Sequence, residues 1–334
     1  MHFALTTNRR LPSLNSKLQL HFVQSMSVFN WLRSFLFQFF FRRRNEPDAP
    51  NPNWQNMVNF GWFGKYGHGE GKHLKGWEQD ISWDEIDRDL KKCKAHNVQV
   101  VRSFIFENLD GLEKIDGAWQ ISAIALESLR KLRELFQKHE LKLEAVLFEF
   151  KNEEAQPFLR DFLKAEPFRP VVESFIAEMQ QVLWAIDLHN EIDYLHIERG
   201  QSVETLEKTI SAFRELVKAV SPKTPFTCST GWRGGHWARK NQIGVDHLDF
   251  IEIHHYTHNH GSPWARGNRQ SLRGLAQLEK PILLGEFKSD DFDLYVEECF
   301  RIGFLGAAPW SIHHDFPISE SVWERIRDFK QELT

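Results

Sequence analysis

Two glutamates stand at the ends of apolar segments that read as buried strands. Glu191 closes "LWAIDLHNE" (183–191) and Glu286 stands in "PILLGEF" (281–287). Two carboxyl groups that face one another can hydrolyse a glycosidic bond with retention: one protonates the leaving oxygen, and the other attacks the anomeric carbon. That chemistry needs them about 5–5.5 Å apart, because the nucleophile bonds to carbon directly and no water stands between. It also needs neighbours that pull the two proton affinities apart. Such neighbours lie in other strand-like segments: Arg102 in "VQVVRSFIF", His254 and Tyr256 in "LDFIEIHHY", and Asn190 beside Glu191. Arg102 and the Tyr256 hydroxyl suit an ionised Glu286, by charge and by hydrogen bonding. Asn190 offers an amide to the sugar's 2-hydroxyl. Trp310, in "GAAPWSI", offers an apolar face to the ring.

The elements that must position these residues follow an alternating pattern. Strand-like runs at 56–64, 98–106, 141–150, 183–191, 225–232, 248–256, 281–287 and 306–312 are separated by amphipathic stretches, the signature of a parallel sheet with crossover helices. Ser82 and Glu85 form a capping-box pattern before "WDEIDRDLKKCKAH", with Asn97 suited to its stop. Leu126, Leu129, Leu132 and Phe136 share one helical face, Pro170 suits a helix start, and Ser202 suits a cap. Eight strands of this kind predict an α/β fold, the (β/α)₈ TIM barrel, whose sites gather at the C-terminal strand ends. A doubly wound sheet is the competing topology. It usually carries a Gly-rich phosphate loop after its first strand, and "GWFGKYGHGEGKH" lacks that spacing.

At 334 residues the chain suffices for one barrel and a leader. We divide it into a leader and linker at 1–53 and a barrel domain at 54–334. The leader holds seven Lys/Arg against Glu46 and Asp48; the whole chain is at −4, so the body stands at −9. An acidic body argues against nucleic acid as a partner. The run "MSVFNWLRSFLFQFFF" (26–41), followed by "RRR", is short for a bilayer span and contains Arg33. It also lacks a cleavage site of the secretory kind. It reads as an interfacial helix making peripheral membrane contact through residues 26–44, or as a disordered leader, or else the start is called too early and Met26 is the true start. Three widely spaced cysteines, Cys93, Cys228 and Cys299, suggest buried thiols and, with the missing signal peptide, a cytoplasmic location.

The strand-end residues resemble those of glycoside hydrolase clan A, and within it the cellulase-like family 5. The likeness rests on Arg in "VVRSF", Asn-Glu in "WAIDLHNEID", His-x-Tyr in "IHHYTH", Glu in "KPILLGEF" and Trp in "APWSIHHD", in that order, across roughly 56–332. The resemblance implies a retaining glycosidase acting on a β-linked glycan or oligosaccharide, with Glu191 as acid/base, Glu286 as nucleophile and Arg102, Asn190, His254, Tyr256 and Trp310 around them. It implies no cofactor. Ile192 stands where the family has Pro, and Phe148 and Glu149 stand where a His is common.

Other readings remain open on the sequence. A non-catalytic carbohydrate-binding barrel would use the same carboxylates on sugar hydroxyls. A metal-dependent barrel hydrolase could draw on His254, His255, His258, His260, His313 and His314, but the first strand lacks the His-x-His that such sites use. Trp62, Trp232 and Trp237 are either stacking platforms for sugars or loop packing. Glu107, Glu149, Glu198 and Glu252 read as surface or salt-bridge residues, and Cys228 as a small buried apolar residue.

Overall fold

The computed structural model describes residues 51–61, 77, 81–150, 156–231, 243–256, 272, 275, 278–312 and 317–329. The leader and the membrane contact read from residues 26–44 lie outside them. Eight strands run parallel: β1 (Gln55–Gly61), β2 (Val100–Glu107), β5 (Lys142–Glu149), β6 (Leu183–His189), β7 (Phe226–Thr227), β8 (Ile251–His254), β9 (Ile282–Lys288) and β10 (Gly306–Trp310). Their spatial order is β7-β6-β5-β2-β1-β10-β9-β8. A parallel bridge from Thr230 to Ile253 joins the two ends, and Thr230 N–H donates to the Glu252 carbonyl at 3.1 Å. The sheet is thus closed, as the predicted (β/α)₈ barrel requires. The fifth strand of the barrel is shorter than the sequence pattern suggests, because only Phe226–Thr227 keep a continuous ladder.

Eight α-helices occur among the described residues: α1 (Trp83–Ala95), α2 (Ala123–Lys138), α3 (Gln156–Phe162), α4 (Arg169–Met179), α5 (Asp193–Ile197), α6 (Val203–Val220), α7 (Phe292–Arg301) and α8 (Glu320–Phe329). Leu129, Leu132 and Phe136 of α2 are buried as their spacing predicts, with Leu126 half-buried. Ser202 caps α6 by accepting from Thr205 N–H at 3.1 Å. The capping box at α1 fails in part: the helix begins after Ser82, but the Ser82 side chain makes no capping hydrogen bond. Asn97 takes φ 59°, the left-handed conformation that closes a helix.

One element was not anticipated. Between β2 and α2, β3 (Leu112–Ile115) and β4 (Ala118–Ile121) form an antiparallel hairpin. Its turn is Asp116-Gly117 with φ 50° and 86°. Asp-Gly is the dipeptide that two-residue hairpin turns favour, since both central residues need positive φ, so the signal was present in the sequence.

The barrel interior is layered because successive residues of a strand alternate between faces. Met57, Val100, Ala185, Phe250, Leu283 and Ala308 form an apolar floor. Two residues further along their strands come charged groups: Arg102 after Val100, Asp187 after Ala185, and Glu252 after Phe250. Phe104, two residues beyond Arg102, and Trp310, two beyond Ala308, meet Val146 and Tyr256 in an aromatic rim. At the start of the domain, the Asn51 amide donates to the Gly303 carbonyl at 3.1 Å, fastening the chain to the barrel from that residue.

Candidate active site

Arg102 organises the site. It lies only two residues into β2, below the strand end, and its long side chain reaches upward while remaining wholly buried. Nε lies 2.7 Å from Glu252 Oε1, one terminal nitrogen 2.7 Å from Glu286 Oε1, and the other 2.9 Å from Asp187 Oδ2. The guanidinium also donates to Asn59 Oδ1 at 3.2 Å and Asn190 Oδ1 at 3.0 Å. The fork geometry of guanidinium is what allows one cation to hold so many acceptors. Burial opposes its charge, but Glu252, Glu286 and Asp187 together hold its pKa well above the usual value.

Glu286 is clamped on both oxygens. Arg102 takes Oε1, and the Tyr256 hydroxyl donates to Oε2 at 2.7 Å. Tyr256 is half-buried, and desolvation of its hydroxyl, together with the Glu286 carboxylate, raises its phenol well above the ordinary value. Glu191 follows β6 with φ 48°. Its backbone N–H donates to Ser229 Oγ at 3.1 Å. Gly231 leaves room for its carboxyl, since a Cβ there would meet Glu191 Oε1 at 2.3 Å.

His254 stands between the two carboxylates. Nδ1 is 3.2 Å from Glu191 Oε1 and 3.5 Å from Glu286 Oε2. Its only partners there are acceptors, so Nδ1 carries a proton. Burial pulls the imidazole down, yet Glu286, with help from Glu191 and Glu252, pushes it up to about 10. Glu191, His254 and Glu286 each offer an atom within 4.8 Å of the others. This is the one group of three such ligand types found together among the described residues. A protonated imidazole has no lone pair to give at Nδ1, and Glu286 already holds a cation, so the set suits proton and charge chemistry better than a metal ion. His255 turns away, its ring edge-on to Tyr295 at 5.4 Å. His258, His260, His313 and His314 lie outside the described residues, as do Trp62, Trp232 and Trp237.

Asn190 is 4% exposed, and both ends of its amide are engaged: Oδ1 by Arg102, and Nδ2 donating to Glu149 Oε1 at 2.8 Å. Trp310 lies in the rim, edge-on to Phe104 at 5.8 Å; its peptide bond to Ser311 is cis. The structure therefore brings together Glu191, Glu286, Arg102, Asn190, His254 and Tyr256, with Trp310 above them.

Glu252 is a salt-bridge residue, as its type suggests, but a wholly buried one, paired with Arg102, and Glu149 is buried against Asn190. Four further participants went unread: Asn59, Glu144, Asp187 and Ser229. Asn59 Nδ2 ties the site to the Gly285 and Ala308 carbonyls at 2.8 and 3.0 Å. Asp187 Oδ1 accepts from Ser229 N–H at 2.9 Å. Burial raises the Asp187 carboxyl to about 7, reinforced by Glu252 and opposed by Arg102. The available signal was an acid in the middle of an apolar strand: Glu144 in "LKLEAVLFEF", Asp187 in "LWAIDLH" and Glu252 in "LDFIEIH".

The barrel fold is shared with solved structures. The chain superposes on a β-1,4-mannanase from the common sea hare Aplysia kurodai with a TM-score of 0.60 at 14% identity, covering 81% of this chain and 92% of that one. A β-1,4-D-mannanase from Cryptopygus antarcticus gives 0.59 at 18% identity, covering 82% and 89%. An exo-β-1,4-mannosidase from an Opitutaceae bacterium gives 0.60 at 15% identity, covering 85% and 62%. The shared property is the barrel fold. No protein-family model matches the chain, and no curated protein matches it in sequence. The solved barrels it resembles are glycosidases, as the strand-end motifs led us to expect.

Proposed function

We propose that the chain is a retaining glycosidase of β-linked glycans or oligosaccharides, with Glu286 as nucleophile and Glu191 as acid/base. The observation that carries this reading is the approach of the two carboxylates: their nearest oxygens lie within 4.8 Å, and Arg102 and Tyr256 hold one of them. A separation of this size leaves no room for the water that an inverting mechanism inserts, for which carboxyl groups stand about 6.5–9.5 Å apart. In the first step Glu286 attacks the anomeric carbon while the Glu191 proton passes to the leaving oxygen, which departs as an alcohol. In the second, ionised Glu191 takes a proton from water, whose oxygen attacks the anomeric carbon and frees Glu286. Arg102 and the Tyr256 hydroxyl hold the Glu286 carboxylate in one orientation through both steps, a contribution of position and field. Asn190, held from below by Arg102 and from the side by Glu149, orients the segment that carries Glu191.

The names of the solved structures make β-1,4-mannan oligosaccharides the first substrates to try, with glucans second. The test is hydrolysis of such oligosaccharides and aryl β-glycosides by wild type, Glu191→Ala and Glu286→Ala, with the product anomer followed by NMR. The reading expects retention, loss of turnover in Glu286→Ala, and an inverted glycosyl azide when azide fills the space left there. Turnover indifferent to both substitutions would remove the assignment, and sugar binding without turnover by wild type would replace it with a binding barrel.

A further inference from the structure

Below the two proposed catalytic carboxylates lies a second pair of acids that the mechanism does not use. Glu144 on β5 and Glu252 on β8 are both fully buried. Glu252 Oε1 is 2.7 Å from Arg102 Nε and 3.5 Å from His254 Nε2. It therefore touches, from beneath, the two side chains that contact Glu286 from either side. The backbone makes a seat for it: a Cβ at Gly285, the residue before Glu286, would lie 2.1 Å from Glu252 Oε1. Only glycine fits there while Glu252 keeps its position. Glu144 is the register partner of Arg102 across β2 and β5, and it and Glu252 each influence the other's ionisation.

We propose that Glu252 is a positioning residue that fixes Arg102 and His254 beneath Glu286, a task in which Glu144 has no part. This rests on the reading of Glu286 as nucleophile, and the geometry separates the two acids. Glu252 lies against Arg102 and His254, and both lower its pKa against the effect of burial. Glu144 has Glu252 on one side and the field of Asp187 nearby, and burial drives its carboxyl well above the ordinary range. The ionisable groups facing Glu252 are Arg102 from β2, Glu144 from β5, Asp187 from β6, the Cys228 thiol just beyond β7, and His254 on its own strand. Glu286 lies beyond the two cations.

A residue that merely fills space could be replaced by an isostere without consequence for its neighbours' charge. Glu252→Gln keeps the shape and removes the charge. Its absence withdraws an anion 3.5 Å from His254 Nε2, so the imidazole pKa falls by roughly one unit or more. In the full chain labelled at histidine this is read by NMR titration, with His254→Asn identifying the resonance, and it needs no turnover. Glu144→Gln leaves Glu252 its charge and its place against Arg102 and His254, and the His254 titration stays at its wild-type position. On an aryl β-glycoside, Glu252→Gln lowers kcat by about tenfold or more with KM held within about twofold, the pattern of a lost transition-state interaction. Glu252→Asp keeps the charge and tests the same titration should the glutamine variant not fold; it retains most of the imidazole's elevation. A His254 titration unmoved in Glu252→Gln, or moved as far by Glu144→Gln, overturns the proposal. Because that readout is independent of hydrolysis, a wild-type chain that turns over no glycoside would refute the glycosidase reading while leaving the charge relation measured.

Discussion

Removing Arg102 should unfasten the interior of the barrel, and do so in a pH-dependent way. Arg102→Met preserves much of the apolar stem and deletes the cation, leaving Asp187, Glu252 and Glu286 facing one another in a dry layer. Breaking a buried ion pair by removing one partner costs about 3–5 kcal/mol, because the remaining charge is buried without compensation. Total stability of a domain is only about 5–15 kcal/mol, so the loss is visible in a urea titration. The sign with pH follows from Asp187. Its carboxyl titrates near 7 in the fold against an ordinary 3.8. Between those values the folded chain keeps a proton that the unfolded chain has released, and stability falls as pH rises through that window. Arg102 is the charge that holds this pKa down. Without it the folded value climbs further, and the decline continues above pH 7 where wild type has levelled off. Urea unfolding of wild type and Arg102→Met at about pH 5, 7 and 9 should therefore give a deficit that widens with pH. Arg102→Lys, with a single point charge in place of a fork, should fall between. A deficit below about 1 kcal/mol, or one that is constant across the range, would refute the claim that this ionic layer holds the site together.

Three further outcomes follow. Tyr256→Phe deletes a hydrogen bond to a carboxylate, worth about 1.5–3 kcal/mol, and should lower kcat by roughly 10- to 150-fold with little change in KM, read by steady-state kinetics on an aryl β-glycoside. Gly231→Ala drives a methyl into the Glu191 carboxyl; it should slow substrates with poor leaving groups far more than activated aryl glycosides, since only the former depend on proton donation. Ser202→Ala removes the cap of α6 and should cost about 1 kcal/mol in urea unfolding with kinetics unchanged.

The barrel was legible because its eight apolar runs alternate with amphipathic helices, and a closed parallel sheet buries every strand on both sides. The same rule explains what was missed. Arg102 and Glu191 stood out as residue types in recognisable strand-end contexts, but Glu252 looks like any acid near a strand end until the closing of the barrel turns it inward. Asp187 and Glu144 were hidden in the same way: one-dimensional reading does not tell which face of a buried strand is the lumen. Asn190 is legible as the neighbour of Glu191, but its amide, read as a partner for a sugar hydroxyl, is engaged by Arg102 and Glu149, and the Glu149 bond depends on the register of β5 against β6, where Phe148 pairs with His189. The capping box at Ser82 illustrates the limit of local patterns, since sequence spacing supplies the groups without fixing their torsions.

The two proposed catalytic carboxylates are held in opposite ways, and the difference suits their tasks. Glu286 sits within β9, its side chain only 7% exposed, with a cation on one oxygen and a phenol on the other. A nucleophile must present one oxygen along one line to the anomeric carbon, and rigid placement on a strand shortens the search for that alignment. Glu191 lies past the end of β6 on a left-handed residue, its side chain 21% exposed and 3.2 Å from His254 Nδ1. An acid that gives its proton in one step and takes one from water in the next must remain open to solvent. The buried layer of Arg102, Asp187 and Glu252 therefore holds Glu286, the proposed nucleophile, and its cost in desolvation is borne where precision of placement matters. Glu191, which as the proposed acid/base needs exchange more than fixity, stands at the edge of that layer, beside His254 and in the space that Gly231 leaves.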